Sequence, residues 1–265
     1  FAKALIAADN TFTYYINTQG GNQPVSGGGF GAQTVRSVPI SSSDQRFILT
    51  AFNKLQSLLG VNFKRVTNKD QADLRLYYDS EIAVGGGGTT LGITINNDLG
   101  SNKFTEIFIN YPPLISDASY RRYAVIHELG HSLGLEHPFE ASDGDYYQST
   151  DPKLSAYPED TVMAYRNPSN GVWPNNYTVN DTRALLQLWG KSTAKASSTY
   201  SFGPSMLATD LCAAILGESA APRAMQSSQK PSAEFLDIQA PTWSGTVQIN
   251  EIIQASDQGD AITAA

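Results

Sequence analysis

Along Thr11–Ile16 apolar and polar positions alternate, with Phe12, Tyr14 and Ile16 on one side and Thr11, Thr13 and Tyr15 on the other, the signature of a half-buried strand. The period then changes. Beyond a glycine-rich loop at Gly20–Gly31, the residues Phe47, Ile48, Ala51, Phe52, Leu55, Leu58 and Leu59 recur at helical spacing, predicting a helix from about Asp44 to Leu59. Ser41–Ser43 offer its cap and Gly60 its stop. Strand patterns return at Val61–Val66, at Asp73–Tyr78, at Leu91, Ile93 and Ile95 beyond Gly85–Gly88, and at Phe104–Asn110, which Pro112-Pro113 closes. A long helix begins near Ser116–Asp117, carries Tyr123, Ile126, Leu129 and Leu133, and should break at Gly134. Pro138–Tyr177 is loop-rich. Thr178 and Asp181 have the spacing of a capping box for a last helix, with Leu185, Leu186, Leu188 and Trp189 as its buried face and Gly190 as its end.

Past Gly190 the texture changes. Lys191–Ser201 and Ala220–Ala233 read as linkers, Ser205–Leu216 as a short helix, and Thr242–Ile253 has alternating apolar character. The pattern divides the chain into a main domain, 1–190, and a C-terminal extension, 191–265, of unknown role. The extension is read as a linker or as an attachment to a larger chain or assembly. No repeat period is present, and none of the glycine-aspartate nonapeptides that build calcium-loaded β-rolls.

A hydrophobic fraction of 41% over 265 residues suffices for a core. The net charge of −7 argues against nucleic acid or an anionic membrane as partner, since both select a basic face. No run approaches the roughly 20 apolar residues of a membrane span. Cys212 is the only cysteine, so neither an intrachain disulfide nor a thiolate zinc cage can form.

All three histidines fall in one stretch, His127-Glu128-Leu129-Gly130-His131-Ser132-Leu133-Gly134-Leu135-Glu136-His137. On a helix, residues four apart share a face about 6 Å apart along the axis, so His127 and His131 can hold one ion. Glu128, rotated about 100° from His127, can reach a water at the ion without ligating it. His137 would sit on the far side of an unbroken helix. Gly134 can take positive φ and turn the chain back, bringing His137 to the same ion. Three ligands leave one position open, the pattern of a catalytic rather than a structural zinc.

This motif resembles the metzincin signature, which is followed downstream by a methionine turn. Thr161-Val162-Met163-Ala164-Tyr165 lies where that turn belongs, with Met163 26 residues after His137 (163 − 137). His137-Pro138 and the flanking elements are similar to the serralysin catalytic domain over roughly residues 10–190. The resemblance departs beyond that, where serralysins usually carry a calcium β-roll. It implies an α+β zincin fold: a mixed twisted sheet with an antiparallel edge strand, a backing helix and an active-site helix. It implies zinc on His127, His131 and His137, Glu128 as general base, Met163 as a floor beneath the ligands, and Tyr165 as a fifth ligand and oxyanion donor. By the resemblance the strand at Leu91–Asn96 is the edge along which an extended substrate pairs, while its alternation alone fits an ordinary interior strand nearly as well.

Asp143, Asp145, Asp151, Glu159 and Asp160 lie between His137 and Met163 and offer hard oxygens to a calcium ion, but without a full calcium-loop spacing a solvated acidic loop is the plainer reading. The function expected is a secreted or surface-exposed zinc endopeptidase acting on a protein or peptide substrate. The rival expectations are a zinc-binding structural or interaction module, and a protease restricted to one partner or its own precursor. The intact Glu128 favours activity.

Overall fold

The computed structural model describes residues 1–6, 9–82, 89–142, 144–192 and 261–264. A short helix α1 (Ala2–Leu5) precedes β1 (Thr11–Ile16). β2 (Gly21–Val25) and β3 (Gln33–Val38) follow, then α2 (Ser42–Leu58), β4 (Asn62–Arg65) and β5 (Leu74–Asp79). β6 (Thr89–Asp98) and β7 (Lys103–Asn110) lead through α3 (Tyr111–Leu114) to α4 (Ala118–Ser132). After a long irregular stretch come α5 (Val179–Trp189) and β8 (Ala261–Ala264).

The strands form one mixed, twisted sheet in the order β2-β3-β5-β7-β6-β8. β5 and β7 are parallel, and β6 runs antiparallel to β7. On the far flank of β5, β1 pairs in parallel with Leu74–Leu76 and β3 pairs antiparallel with the last two residues. β4 continues from β1 in parallel. The side-chain period of two splits the sheet into two buried layers. Leu74, Leu76, Ile107 and Ile109 face a core shared with Phe52 and Leu55 of α2 and Tyr123 and Ile126 of α4. Tyr77, Phe108, Ile93 and Ile95 form a second cluster, against which Phe30 packs.

The sequence missed a hairpin. Gly20–Gly31 is not a plain loop: β2 lies within it and pairs with β3, which also escaped the pattern. Both strands are largely exposed, so no buried face imposes an apolar alternation on them. α2 starts two residues earlier than expected, capped by Ser41, whose Oγ accepts from the Asp44 amide at 3.1 Å. Gly60 does not end it by left-handed geometry, since the cap residue Leu59 is extended. Its lack of a side chain serves a close approach instead, because a Cβ there would stand 2.8 Å from the Trp189 carbonyl. Pro112 and Pro113 sit in the first positions of α3, where a missing amide costs nothing. The capping box at Thr178 and Asp181 is present, but of the expected face of α5 only Leu185 is buried, with Leu186 and Trp189 packed partly against the core.

The expectations for Gly85–Gly88, Ser205–Leu216, Ala220–Ala233, Thr242–Ile253, Cys212 and Asp143 lie outside the described residues. One finding from the extension is within them. Between the edge strand that the resemblance implies for β6 and an interior strand, the pairing decides for the second over Thr89–Ile93, where β8 lies antiparallel to it. The register shifts between Thr90 and Gly92, leaving Leu91 as the extra residue of a bulge. Leu91 accordingly joins the helix-side core while Ile93 and Ile95 join the other layer.

Candidate metal centre and active site

Asp117 starts α4 by accepting from the amides of Ser119 and Tyr120 at 3.0 and 2.9 Å. The helix then carries His127, Glu128 and His131 into the interior, where His127 and Glu128 have no exposed surface. It ends in a Schellman turn. The Gly134 amide bonds the His131 carbonyl at 2.9 Å and the Leu135 amide bonds the Gly130 carbonyl at 3.0 Å, with Gly134 at φ +94°. This reversal brings His137 back beside the helix it has just left.

The three Nε2 atoms converge. His127 and His137 are 3.2 Å apart, His131 and His127 3.1 Å, and His131 and His137 3.0 Å. The opposite ring nitrogens are each held. His127 Nδ1 meets the Val162 carbonyl at 2.7 Å and His131 Nδ1 the Leu135 carbonyl at 2.8 Å. His137 Nδ1 meets Glu140 Oε1 at 3.1 Å. Carbonyl and carboxylate oxygens only accept, so the ring proton sits on Nδ1 and each Nε2 presents a lone pair. Three lone pairs aimed at one point repel unless a cation lies between them. Burial also pushes the His127 and His131 imidazoles well below the usual histidine range, helped by their neighbouring rings, and pushes His137 down to about 3. All three are therefore neutral donors at pH 7. Among the described residues this is the one cluster of histidine, cysteine or acidic side chains that could hold a metal.

The surrounding segment is bolted to α4. Met163 is buried against the helix, and a Cβ on Gly130 would stand 2.8 Å from its Sδ. Asp181 accepts from Thr161 Oγ1 at 2.5 Å, from the Val162 amide at 3.1 Å and from the Thr178 amide at 2.7 Å. Tyr123 donates to the Ala164 carbonyl at 2.6 Å and Tyr177 to the Ile126 carbonyl at 2.9 Å. Tyr165 follows on, its ring centroid 4.6 Å from that of His137 and 5.8 Å from that of His127.

Glu128 sits between α4 and β6. Thr94 Oγ1 lies 2.7 Å from Glu128 Oε2 and 2.9 Å from the Glu128 carbonyl. Across from it is Gly92, where a Cβ would come within 2.5 Å of Oε1. A cavity of about 270 Å³ opens beside His131, with Thr94, Asn96, Leu135 and Glu136 among its walls.

The sequence motif thus brings His127, His131, His137, Glu128, Met163 and Tyr165 into one region. Among the described residues the acidic side chains of this loop form no metal-ligating cluster. Asp151 accepts from the Lys153 amide, Glu159 from Ser169 and the Asn170 amide, and Asp160 from the Tyr157 amide, all local contacts. Among the described residues Asp145 joins no metal-ligating cluster. Sequence reasoning missed Thr94, Gly92 and Glu140, and saw Asp181 only as a cap. Glu140 had a signal, three residues after His137; Thr94 and Gly92 had none, because their role depends on how β6 crosses α4.

No known protein-family model matches the chain. Part of it does resemble curated proteins. Those relatives are serralysins. One, from Photorhabdus sp. (strain Az29), is 31% identical over 94 residues, which is 32% of this chain and 20% of the relative. Another, from Photorhabdus luminescens, is 33% identical over 95 residues, 31% of this chain and 20% of the relative. The chain spans about a fifth of the length of these relatives. With the three-histidine cluster, this partial likeness supports a metalloprotease-like relationship. Among the described residues no helix is long and apolar enough to cross a membrane.

Proposed function

We propose that this chain is a zinc-dependent endopeptidase of the metzincin type, nearest the serralysin catalytic domain, with residues 1–190 as its catalytic domain. The observation that carries the reading is the convergence of three neutral imidazole nitrogens whose far sides are tethered. Their mutual distances of 3.0–3.2 Å compare with the roughly 3.3 Å between corners of a tetrahedron with 2.0–2.1 Å zinc–nitrogen bonds. Three nitrogen ligands with outer partners fixing each ring fit zinc, and they leave a fourth corner for chemistry.

His127, His131 and His137 would hold the ion. Zinc, when bound, lowers the pKa of water to about 7 and polarises a carbonyl oxygen. Glu128 accepts the proton of the attacking water on its carboxylate and delivers it to the departing amine nitrogen. Thr94, donating to Oε2, keeps that carboxylate aimed through the transfer. Tyr165 stands beside His137 and donates to the developing oxyanion. Met163 packs under the ligand helix as an adaptable floor. The substrate is an extended protein or peptide segment laid along β6. The protein acts outside the cell or at its surface.

The test is zinc analysis joined to cleavage of a peptide library, with and without chelator. The expected result is one zinc per chain, and cleavage that stops with chelator and returns with zinc. Bound zinc without cleavage would favour a zinc-holding interaction module instead. Cleavage indifferent to chelator would reject both.

A further inference from the structure

We infer that the segment Ala261–Ala264 competes in cis for the strand edge that receives the substrate, so that the chain partly masks its own cleft. The significance of that edge rests on the endopeptidase reading; the pairing does not. β6 has β7 on one flank and β8 on the other, in the register Thr89↔Ala264, Thr90↔Thr263, Gly92↔Ile262 and Ile93↔Ala261. The covered stretch is the part of β6 against the candidate base: Gly92 abuts Glu128 and Thr94, two residues on, bonds its carboxylate.

A strand edge has one row of amides and carbonyls to offer. An incoming extended peptide and β8 both need that row, so their occupancies exclude one another. β8 is also weak enough to leave. Among the described residues it supplies four residue pairs, interrupted by the bulge at Leu91. Held by its own chain at an effective concentration on the order of 1 mM, a strand with an intrinsic dissociation constant of roughly 0.1–1 mM would raise the apparent KM of a substrate about two- to ten-fold.

The test uses the full chain and two double variants. Ile262→Pro with Thr263→Pro removes both amides and so whichever of them faces β6. Ile262→Val with Thr263→Val keeps strand-forming residues. A fluorescein-labelled synthetic peptide of residues 257–265 is titrated against each by anisotropy in chelator, where the endopeptidase reading allows no cleavage. KM and kcat for a peptide substrate are then measured with zinc. The proline variant should bind the labelled peptide and show a KM lower by about two- to ten-fold with kcat unchanged, the valine variant behaving as wild type. Equal dissociation constants in all three proteins would overturn the inference, whether or not they cleave peptides. A lower dissociation constant in the proline variant with no cleavage by any zinc-loaded protein would leave the cis-pairing standing and sink the endopeptidase reading. A lower dissociation constant with cleavage but an unchanged KM would overturn the masking.

Discussion

Each histidine of the cluster is distinguished by what holds its far nitrogen: a carbonyl after the methionine-turn threonine, a carbonyl of the helix-ending turn, and the Glu140 carboxylate. Such partners fix ring and tautomer, and losing one typically costs 10–100-fold in metal affinity. Glu140→Ala should therefore weaken zinc binding by roughly 10-fold or more, read by competition with a chromophoric chelator. Glu128 is separable from the ligands. Glu128→Gln should keep one zinc per chain and lower kcat about 100- to 10,000-fold, and equal activity would remove it from the mechanism. Gly92 gives a subtler handle. Gly92→Ala places a methyl where Glu128 Oε1, Cγ and Cδ now stand, at 2.5, 2.8 and 2.9 Å, so the base must move. The expected result is retained zinc and a kcat lower by about 10-fold or more, since small misplacements of a catalytic group are costly.

At the scale of elements, the site is made where α4 stops and where the methionine segment is tied down. Gly134 sits at φ +94°, so Gly134→Ala strains the Schellman turn that returns His137. A loss of about 1–2 kcal/mol in unfolding free energy is expected, with weaker zinc binding, by denaturant titration and metal competition. Asp181 is nearly fully buried and serves three donors at once. Asp181→Asn should cost about 2–4 kcal/mol, because it turns an acceptor of three hydrogen bonds into a partial donor. These elements also mark how far the sequence could be read. The main helices were legible from apolar spacing and caps, and the central strands β5 and β7, buried on both faces, from short runs rich in apolar and aromatic residues. β2 and β3 were not, because exposed edge strands carry no such constraint. The three-histidine cluster was legible because one helix and one turn bring it together locally. Thr94 on β6 lies 34 residues from Glu128, and Asp181 lies 19 residues from Val162, so no local spacing announces either contact.

Across the molecule, metal, protons and folding are linked. In the metal-free fold burial depresses the imidazole pKa values, to about 3 for His137, whereas unfolding returns each group to about 6.5. Between these limits the unfolded chain binds more protons. The histidines therefore leave stability untouched well above pH 6.5 and lower it as pH falls below that value, by up to about 1.4 kcal/mol per pH unit for each group. Urea midpoints of the metal-free protein should fall from pH 7 to pH 5, and zinc at neutral pH should raise them, because it binds only the folded arrangement. β8 shows the sheet drawing on residues 261–264 as well as on the strands before residue 111. The most direct test of the central claim is zinc K-edge absorption spectroscopy on the metal-loaded protein. Three imidazole nitrogens at about 2.0–2.1 Å with a further oxygen ligand are predicted. A first coordination sphere with fewer than three imidazoles, or one containing sulfur, would contradict the account.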